Sequence, residues 1–556
     1  MPESALRPYT DRPRDAHTAP LLTVVVPVFN LADKIADNVR TIRERVEAAL
    51  GEPIELIVVS DGSSDRSEER VVEGDPDLAR VIHYDRNLGK GYAVRTGALA
   101  ARGRFVSFVD ADLDLDPSPL AGYLELAERE SLDVVIGSKR HPESQVHYPR
   151  SRRAGSWVYQ QLVRVLFQLD VRDTQVGLKL FRREVVREVM PLLLVKQFAF
   201  DLEFLAVANA LGYRRIREQP VTLDYRFTGS GVRSAAVLLA LVDTAAIFYR
   251  LRVLRYYQRK RSLLPEVGRA DDHRPDVTLV SIQRPALDYP RLEVVTPSAE
   301  PPEALLAAAR ATDSEVIGFL QEGATPARNW LESTVPFLGN PEIAAVVTAS
   351  VTPARGSPRE RAAAALAESF LGGGSLYFRF TPGNLRFVKH FPAESVVVRR
   401  EDLAALDAEA AHANRLCAAL NARGRKVLYT PETVVAVSRP PLFRPHLRGI
   451  AAAGLARGDA MRRDGIRGTT VASLLPLALL ALIVAGWPLA FADGAAGDLW
   501  LGAWAAYIAA VVVSALLAAL RFRSVRVGAL ALVGLVAVHV TYGLAVVLGA
   551  LRRGRA

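Results

Sequence analysis

The chain has 556 residues, 50% of them hydrophobic, which is enough for two or three domains. Its net charge of +10 is spread along the chain, suiting phosphate substrates or an anionic membrane surface; no nucleic-acid-binding motif accompanies it, so no nucleic acid partner is expected. A single cysteine, Cys417, excludes an intramolecular disulfide framework and a cysteine-rich zinc site.

Residues 1–20 are polar and proline-rich and carry no apolar run. They read as a disordered lead-in without a cleaved leader, which places the expected catalytic part in the cytoplasm. Leu22–Val28 reads as a buried strand, and 31–50 as a helix with apolar positions at Ile35, Val39, Ile42, Val46 and Leu50. A second strand over 54–59 enters Ser60-Asp61-Gly62-Ser63-Ser64-Asp65. A helix over 66–73, a strand over 80–84 and a helix over 92–101 follow. The apolar run 105–109 then ends abruptly in Asp110, Asp112, Asp114 and Asp116. This alternation predicts a mostly parallel sheet with helices on both faces, whose ligands sit beyond the carboxyl ends of the strands. Asn30, Asp61 and Asp110 each follow a strand, so they are expected in one crevice. Carboxylates at a strand's end suit a hard cation such as Mg²⁺ or Mn²⁺, with part of its shell left for phosphate oxygens. From these residues alone, an acidic turn is an equal reading.

Several motifs in order narrow the choice: PVFN at 27–30, SDGSSD at 60–65, NLGKGYAVRTG at 87–97 and DAD at 110–112. Together they resemble a family 2 glycosyltransferase of the GT-A fold, a Rossmann-like α/β architecture. GSKR at 137–140, RDTQVGLKLF at 172–181 and FAFDLEFLA at 198–206 resemble its polyprenyl-phosphate branch. Within that branch they look most like the dolichyl-phosphate β-glucosyltransferases, with the mannosyltransferases further off. The resemblance covers about residues 21–235. Leu31 and Ser60 depart from it, standing where the family usually has Glu and often has Asp.

The resemblance implies roles for individual residues. Asp110 and Asp112 would hold the metal, with Asp114 as a third coordinating position or a simple acidic turn. Asp112 would be the catalytic member of the set. Asp61 would receive the uracil or ribose, and Pro27, Phe29 and Asn30 would line the base pocket. Lys90 and Arg95 would face the donor phosphates, or be solvated helix charges. Lys139 or Arg140, Arg152 and Ser156 would take the acceptor phosphate; Arg152 and Ser156 are four apart and share a helix face. Asp173 and Gln175 match a segment that closes over the sugar, where Lys179 adds charge. Asp201 and Glu203 fall where inverting relatives carry an acidic pair. A neutral hydroxyl acceptor needs such a base, whereas a lipid phosphate is already anionic.

Residues 235–249 are apolar but hold Asp243 and run into the basic stretch 250–261, as an interfacial helix with basic anchors would. Residues 262–275 read as linker. Residues 276–440 form a second α/β unit, with strands over 277–282, 292–296 and 316–320. It resembles a degenerate family 2 core in which Gln321-Glu322-Gly323 replaces the acidic metal motif. After a basic juxtamembrane region, 441–473, three apolar stretches at 474–492, 499–520 and 527–551 approach or exceed the roughly 20 residues a membrane-crossing helix needs. The basic run 457–467 assigns that side to the cytoplasm. His539, in mid-span, is either functional or packed between helices.

The expectation is a multi-pass, membrane-bound inverting transferase. It moves a hexose from UDP-glucose, or less favourably GDP-mannose, to a polyprenyl or dolichyl phosphate. A transferase acting on a glycan or small-molecule hydroxyl and a non-enzymatic membrane scaffold are the alternatives. Oligomeric state is left open.

Overall fold

A computed structural model of the chain describes residues 20–146, 150–197, 199–223, 234–297, 301–392, 394–412, 415–464 and 494–551, with a few positions between 478 and 491. The side chains of 145–158 and 223–239 lie outside the described residues, as do the lead-in and most of the expected span at 474–492. The chain divides into two compact units. One comprises Met1–Thr348 with Gly383–Val435, and the other Ala349–Pro382 with Ala436–Ala556.

In the first unit the elements begin β1 (Leu22–Val28), α1 (Ile35–Leu50), β2 (Glu55–Asp61), α2 (Ser67–Gly74), β3 (Arg80–Tyr84), α3 (Lys90–Ala100) and β4 (Phe105–Val109). After these come α4 (Leu120–Arg129), β5 (Val134–Ser138), β6 (Gln145–Val146), α5 (Arg150–Phe167), β7 (Leu178–Arg182), α6 (Arg183–Val189), α7 (Phe200–Ala210), β8 (Ile216–Pro220) and β9 (Thr222–Leu223). The first sheet has the order β3-β2-β1-β4-β7-β5-β8, while β6 and β9 pair apart from it. β1 lies parallel to β2 and β4, and β2 to β3, as the alternating pattern requires. β7 is antiparallel to both β4 and β5, so the sheet is mixed.

Burial follows the periodicity. Ile35, Val39, Ile42 and Val46 of α1 pack into one apolar cluster with Val24, Val26, Leu56 and Val58. Residues 234–248 form helix α8, whose exposed Leu241 and Val242 agree with a surface-seeking face. After a π-turn, Tyr249–Val253, come α9 (Tyr256–Arg261) and α10 (Leu263–Val267). The expected linker therefore contains a helical turn: Gly268 ends α10 in the left-handed conformation, as a helix C-terminus favours.

A second sheet uses β10 (Val277–Val280), β11 (Leu292–Val295), β12 (Val316–Leu320), β13 (Ala324–Pro326), β14 (Ile343–Val351), β15 (Arg386–Phe387), β16 (Ser395–Arg399) and β17 (Lys426–Val437). Its order is β11-β10-β12-β16-β14-β17-β13, with β15 on β17. In the other unit, helices Ala495–Arg521 and Val525–Leu551 have 27 residues each, and each contains an 18-residue stretch with a mean hydropathy of 2.2, long and apolar enough to cross a membrane. The basic juxtamembrane stretch is helical over Arg444–Asp464. There is no room for a Cβ at its Gly454 and Gly458, which meet Ala545, Val546 and Ala550, or at Gly549, which meets Leu455. His539 bonds Leu371 O at 2.8 Å through Nε2 and Tyr507 Oη at 3.1 Å through Nδ1. Both ring nitrogens are therefore occupied within the packing, which is the second of the two expected readings.

Candidate active site

The site lies beyond the carboxyl ends of β1, β2 and β4. Asn30 follows β1 in a left-handed conformation (φ 52°), which Asn tolerates better than most residues. Its Oδ1 accepts Ser64 N–H at 2.8 Å, tying the first strand end to the second. Pro27 is half-buried and Phe29 exposed on the same turn, at the rim where a base pocket was expected.

Asp61 ends β2 and is 3% exposed. Its Oδ1 accepts from Leu88 N–H at 2.7 Å and Tyr84 Oη at 3.0 Å, and its Oδ2 accepts from Gly89 N–H at 2.9 Å. Burial pushes its pKa up to about 7 against the opposing effect of these bonds. Asp61 thereby anchors the turn that launches α3, at the strand end where a contact to base or ribose was expected.

That turn sets Lys90 at the first position of α3, where its ammonium pairs with Asp110. Burial disfavours the Lys90 charge, but Asp110, Asp201 and Asp112 outweigh it and raise its pKa. Asp110 is thus the ion-pair partner of Lys90, and the charges of Asp201 and Asp112 act in the same direction. Asp112 is raised too, by burial first and then by the like charge of Asp110. Leu113 turns the chain with φ 58°, and Asp114 donates its N–H to Asp112 Oδ1 at 3.2 Å. Two mutually repelling carboxylates fit a hard cation, whose binding would relieve the repulsion. Asp114, the third expected ligand, follows Asp112 on this turn. Among the described residues no group of three or more His, Cys, Asp or Glu side chains is placed to hold a metal ion.

The segment before β7 closes against this pair. A Cβ at Gly177 would overlap Asp110 Oδ2, so only glycine fits there without moving the carboxylate. Asp173 accepts from Lys139 N–H at 3.3 Å and Gln175 N–H at 3.1 Å, which brings the sugar-closing segment to the 138–140 turn. Gln175 is exposed, while Lys139 and Arg140 are half-buried. Arg152 and Ser156 belong to α5, but their side chains lie outside the described residues.

Two expectations are corrected by helix geometry. Asp201 and Glu203 are two apart on α7 and cannot share a face. Asp201 looks toward the Lys90 cluster and pairs with Lys179 Nζ at 2.7 Å. Glu203 is 0% exposed and points away; it accepts from Leu194 and Val195 N–H at 2.9 and 2.8 Å and from Tyr257 Oη. Burial raises its pKa, and it braces a loop instead of facing a substrate. Arg95 sits five residues, about 140° of helix turn, from Lys90. It is buried and donates to Leu193 O at 3.3 Å and Pro191 O at 3.4 Å, so it does not reach donor phosphates.

Lys179 emerges as more important than its sequence hint. It is 1% exposed, stands opposite Phe108 in the β4–β7 register, and lies 5.0 Å from that ring's centroid. A lysine inside the apolar run Leu178–Phe181 was the signal for it.

Residues 23–190 match the model of "Glycosyl transferase family 2". The chain belongs to this family. Glycosyltransferase AglD of Haloferax volcanii is 33% identical over 219 residues, 39% of this chain and 35% of that protein. The dolichyl-phosphate β-glucosyltransferase of Dictyostelium discoideum is 32% identical over 204 residues, 34% of this chain and 62% of that one. The dodecaprenyl-phosphate galacturonate synthase of Rhizobium johnstonii is 30% identical over 238 residues, 42% and 67%. The chain thus spans between a third and two thirds of the length of the first two. The family match covers β1 to β7, the part of the chain that carries the Lys90, Asp110 and Asp112 cluster.

Proposed function

We propose that the first domain transfers a hexose, with inversion, from a nucleotide sugar to a polyprenyl phosphate. UDP-glucose is the preferred donor, on the strength of the names of the β-glucosyltransferase relatives. An oxygen of the lipid phosphate attacks the anomeric carbon. The bond from that carbon to the nucleoside diphosphate breaks, and the electron pair leaves with the diphosphate. Lys90, at the start of α3, is positioned to neutralise the phosphate charge that develops as the bond breaks. Asp110 and Asp112 would hold Mg²⁺ or Mn²⁺, which supplies Lewis-acid stabilisation of the leaving diphosphate.

The observation that carries this reading is the Lys90–Asp110 ion pair beyond the strand ends, with Asp112 beside it. The Lys179–Asp201 pair favours a phosphate acceptor. The buried ammonium of Lys179 already engages Asp201 Oδ1. An anionic phosphate acceptor needs no base, whereas a sugar hydroxyl does. The two long apolar helices support attachment to the membrane in which such a lipid resides; the basic run 457–467 is the reason to propose the cytoplasmic side for the first domain.

The test uses the purified full chain with Mg²⁺ or Mn²⁺, polyprenyl phosphate, and labelled UDP-glucose or GDP-mannose, beside Asp112→Ala. Labelled lipid from the wild type alone supports the proposal and names the donor. Metal-dependent hydrolysis without labelled lipid redirects it to another acceptor.

A further inference from the structure

The second sheet repeats the first. The neighbours β2-β1-β4-β7-β5-β8 correspond to β11-β10-β12-β16-β14-β17, and the strands occur in the same chain order. Directions agree. β10 is parallel to β11 and β12, as β1 is to β2 and β4. β16 is antiparallel to β12 and β14, as β7 is to β4 and β5.

Residue registers agree as well. Phe105 lies opposite Leu22 and Arg182, and Val316 lies opposite Val277 and Arg399. The two arginines make the same kind of bond. Arg182 Nε donates to Leu132 O at 2.6 Å and Nη2 to Ala127 O at 3.1 Å. Arg399 Nε donates to Ile343 O at 3.0 Å and Nη2 to Asn340 O at 3.1 Å. In each case the carbonyls lie at or before the start of the strand that neighbours the arginine's own. The following residue also matches: Arg183 N–H bonds Arg104 O at 3.0 Å, and Arg400 N–H bonds Glu315 O at 2.9 Å. Under this register Asp110 corresponds to Gln321, Asp112 to Gly323 and Lys179 to Val396. The second copy lacks the metal carboxylates and the buried lysine together.

What the second copy retains is a position against α3. Tyr92 Oη donates to Pro431 O of β17 at 3.1 Å, in a buried contact. Glu432, next along β17, is 3% exposed and pairs with Arg269. Arg95 grips the carbonyls of 191 and 193, Glu203 holds the N–H groups of 194 and 195, and Lys196 O accepts Gly91 N–H at 2.9 Å. The path from β17 thus returns to the residue after Lys90.

We propose that residues 277–437 are a non-catalytic copy of the transferase fold whose function is to hold α3 and the 191–196 segment, so that Lys90 meets Asp110. Tyr92, which meets β17 directly, and Glu432, which fixes β17 through Arg269, are its positioning residues. The proposal rests on the crevice being the nucleotide-sugar site.

The experiment compares Tyr92→Phe, Glu432→Gln and a Gln321→Ala/Glu322→Ala double variant of the full chain. The readouts are UDP binding, sugar-transfer kinetics, melting temperature and amide exchange. Losing one buried hydrogen bond is worth roughly a fivefold change. Tyr92→Phe and Glu432→Gln are therefore expected to weaken UDP binding and raise the KM for nucleotide sugar about fivefold. The KM for the acceptor lipid stays unchanged, and amides of 91 and 194–195 exchange faster. The double variant is expected to match the wild type. Unchanged UDP binding and unchanged exchange in both single variants would overturn the positioning role, as would transfer lost in the double variant. UDP binding and exchange do not depend on the acceptor, so the proposal fails or stands separately from the lipid reaction. Exchange is read at low temperature, where a destabilised variant stays folded.

Discussion

Lys179 of β7 and Asp201 of α7 form an ion pair at 2.7 Å that ties the sheet to the helix packed on it. Removing one partner of a buried pair costs about 3–5 kcal/mol, because the other charge is left uncompensated. Lys179→Met is therefore expected to lower the melting temperature and reduce kcat. The double variant Lys179→Met/Asp201→Asn should recover most of the stability but not the activity. Thermal unfolding and transfer assays on the same samples check both. A single variant as stable as the wild type would sink the argument.

Gly177→Ala should separate stability from activity. The added Cβ meets the end of the Asp110 side chain, which can rotate away, so the fold survives. Displacing a group that stabilises the transition state costs about 10²–10³ in kcat. The expected result is a loss of that order with a near-native melting temperature.

Gly89→Ala is expected to do the opposite. Gly89 has φ 106°, and its Cβ would meet the carbonyl of Lys196, which is backbone. Chemical denaturation should show a loss of at least about 1 kcal/mol from the left-handed conformation alone, plus the cost of the clash.

Asp61 predicts a pH signature. Its folded pKa of about 7 lies above the ordinary 3.8, so the folded state binds a proton that the unfolded state has released between those values. Stability from this group is complete below about pH 4 and is lost as pH rises through 7. Asp61→Asn cannot titrate. The stability of the wild type relative to this variant should therefore rise as pH falls from 7 toward 4, and a flat difference would contradict the burial argument.

Chelation supplies a fifth test. Treatment with EDTA should abolish transfer, and added Mn²⁺ or Mg²⁺ should restore it in the wild type but not in Asp112→Ala. Activity unaffected by EDTA would remove the metal from the proposal.

The strand ends were legible in the sequence because an apolar run stopping at Asn or Asp marks a chemical change at one residue. That placed Asn30, Asp61 and Asp110 at the same sheet edge. What was not legible was orientation. Lys90 and Arg95 looked alike as charges on one helix, yet one reaches the crevice and the other grips the 191–193 carbonyls behind it. Asp201 and Glu203 looked like a pair, although spacing of two on a helix sends them apart. The role of Asp61 depended on the N–H groups of 88 and 89, which approach it only after the β3–α3 turn forms. The order of the second sheet rests on non-local pairing, which no local pattern states.

The crossing of Gly454 and Gly458 on the last apolar helix brings two backbones together with no side chain between them. The helix that carries Arg448, Arg457 and Arg462 therefore runs flush along the second half of 525–551. Hydrocarbon cannot occupy that side. Val533, Val536, Leu544, Val547, Leu548 and Leu551 remain exposed at spacings that form one stripe. The last helix is thus a one-sided rail: a single apolar flank is left open along its length, while a basic helix covers another.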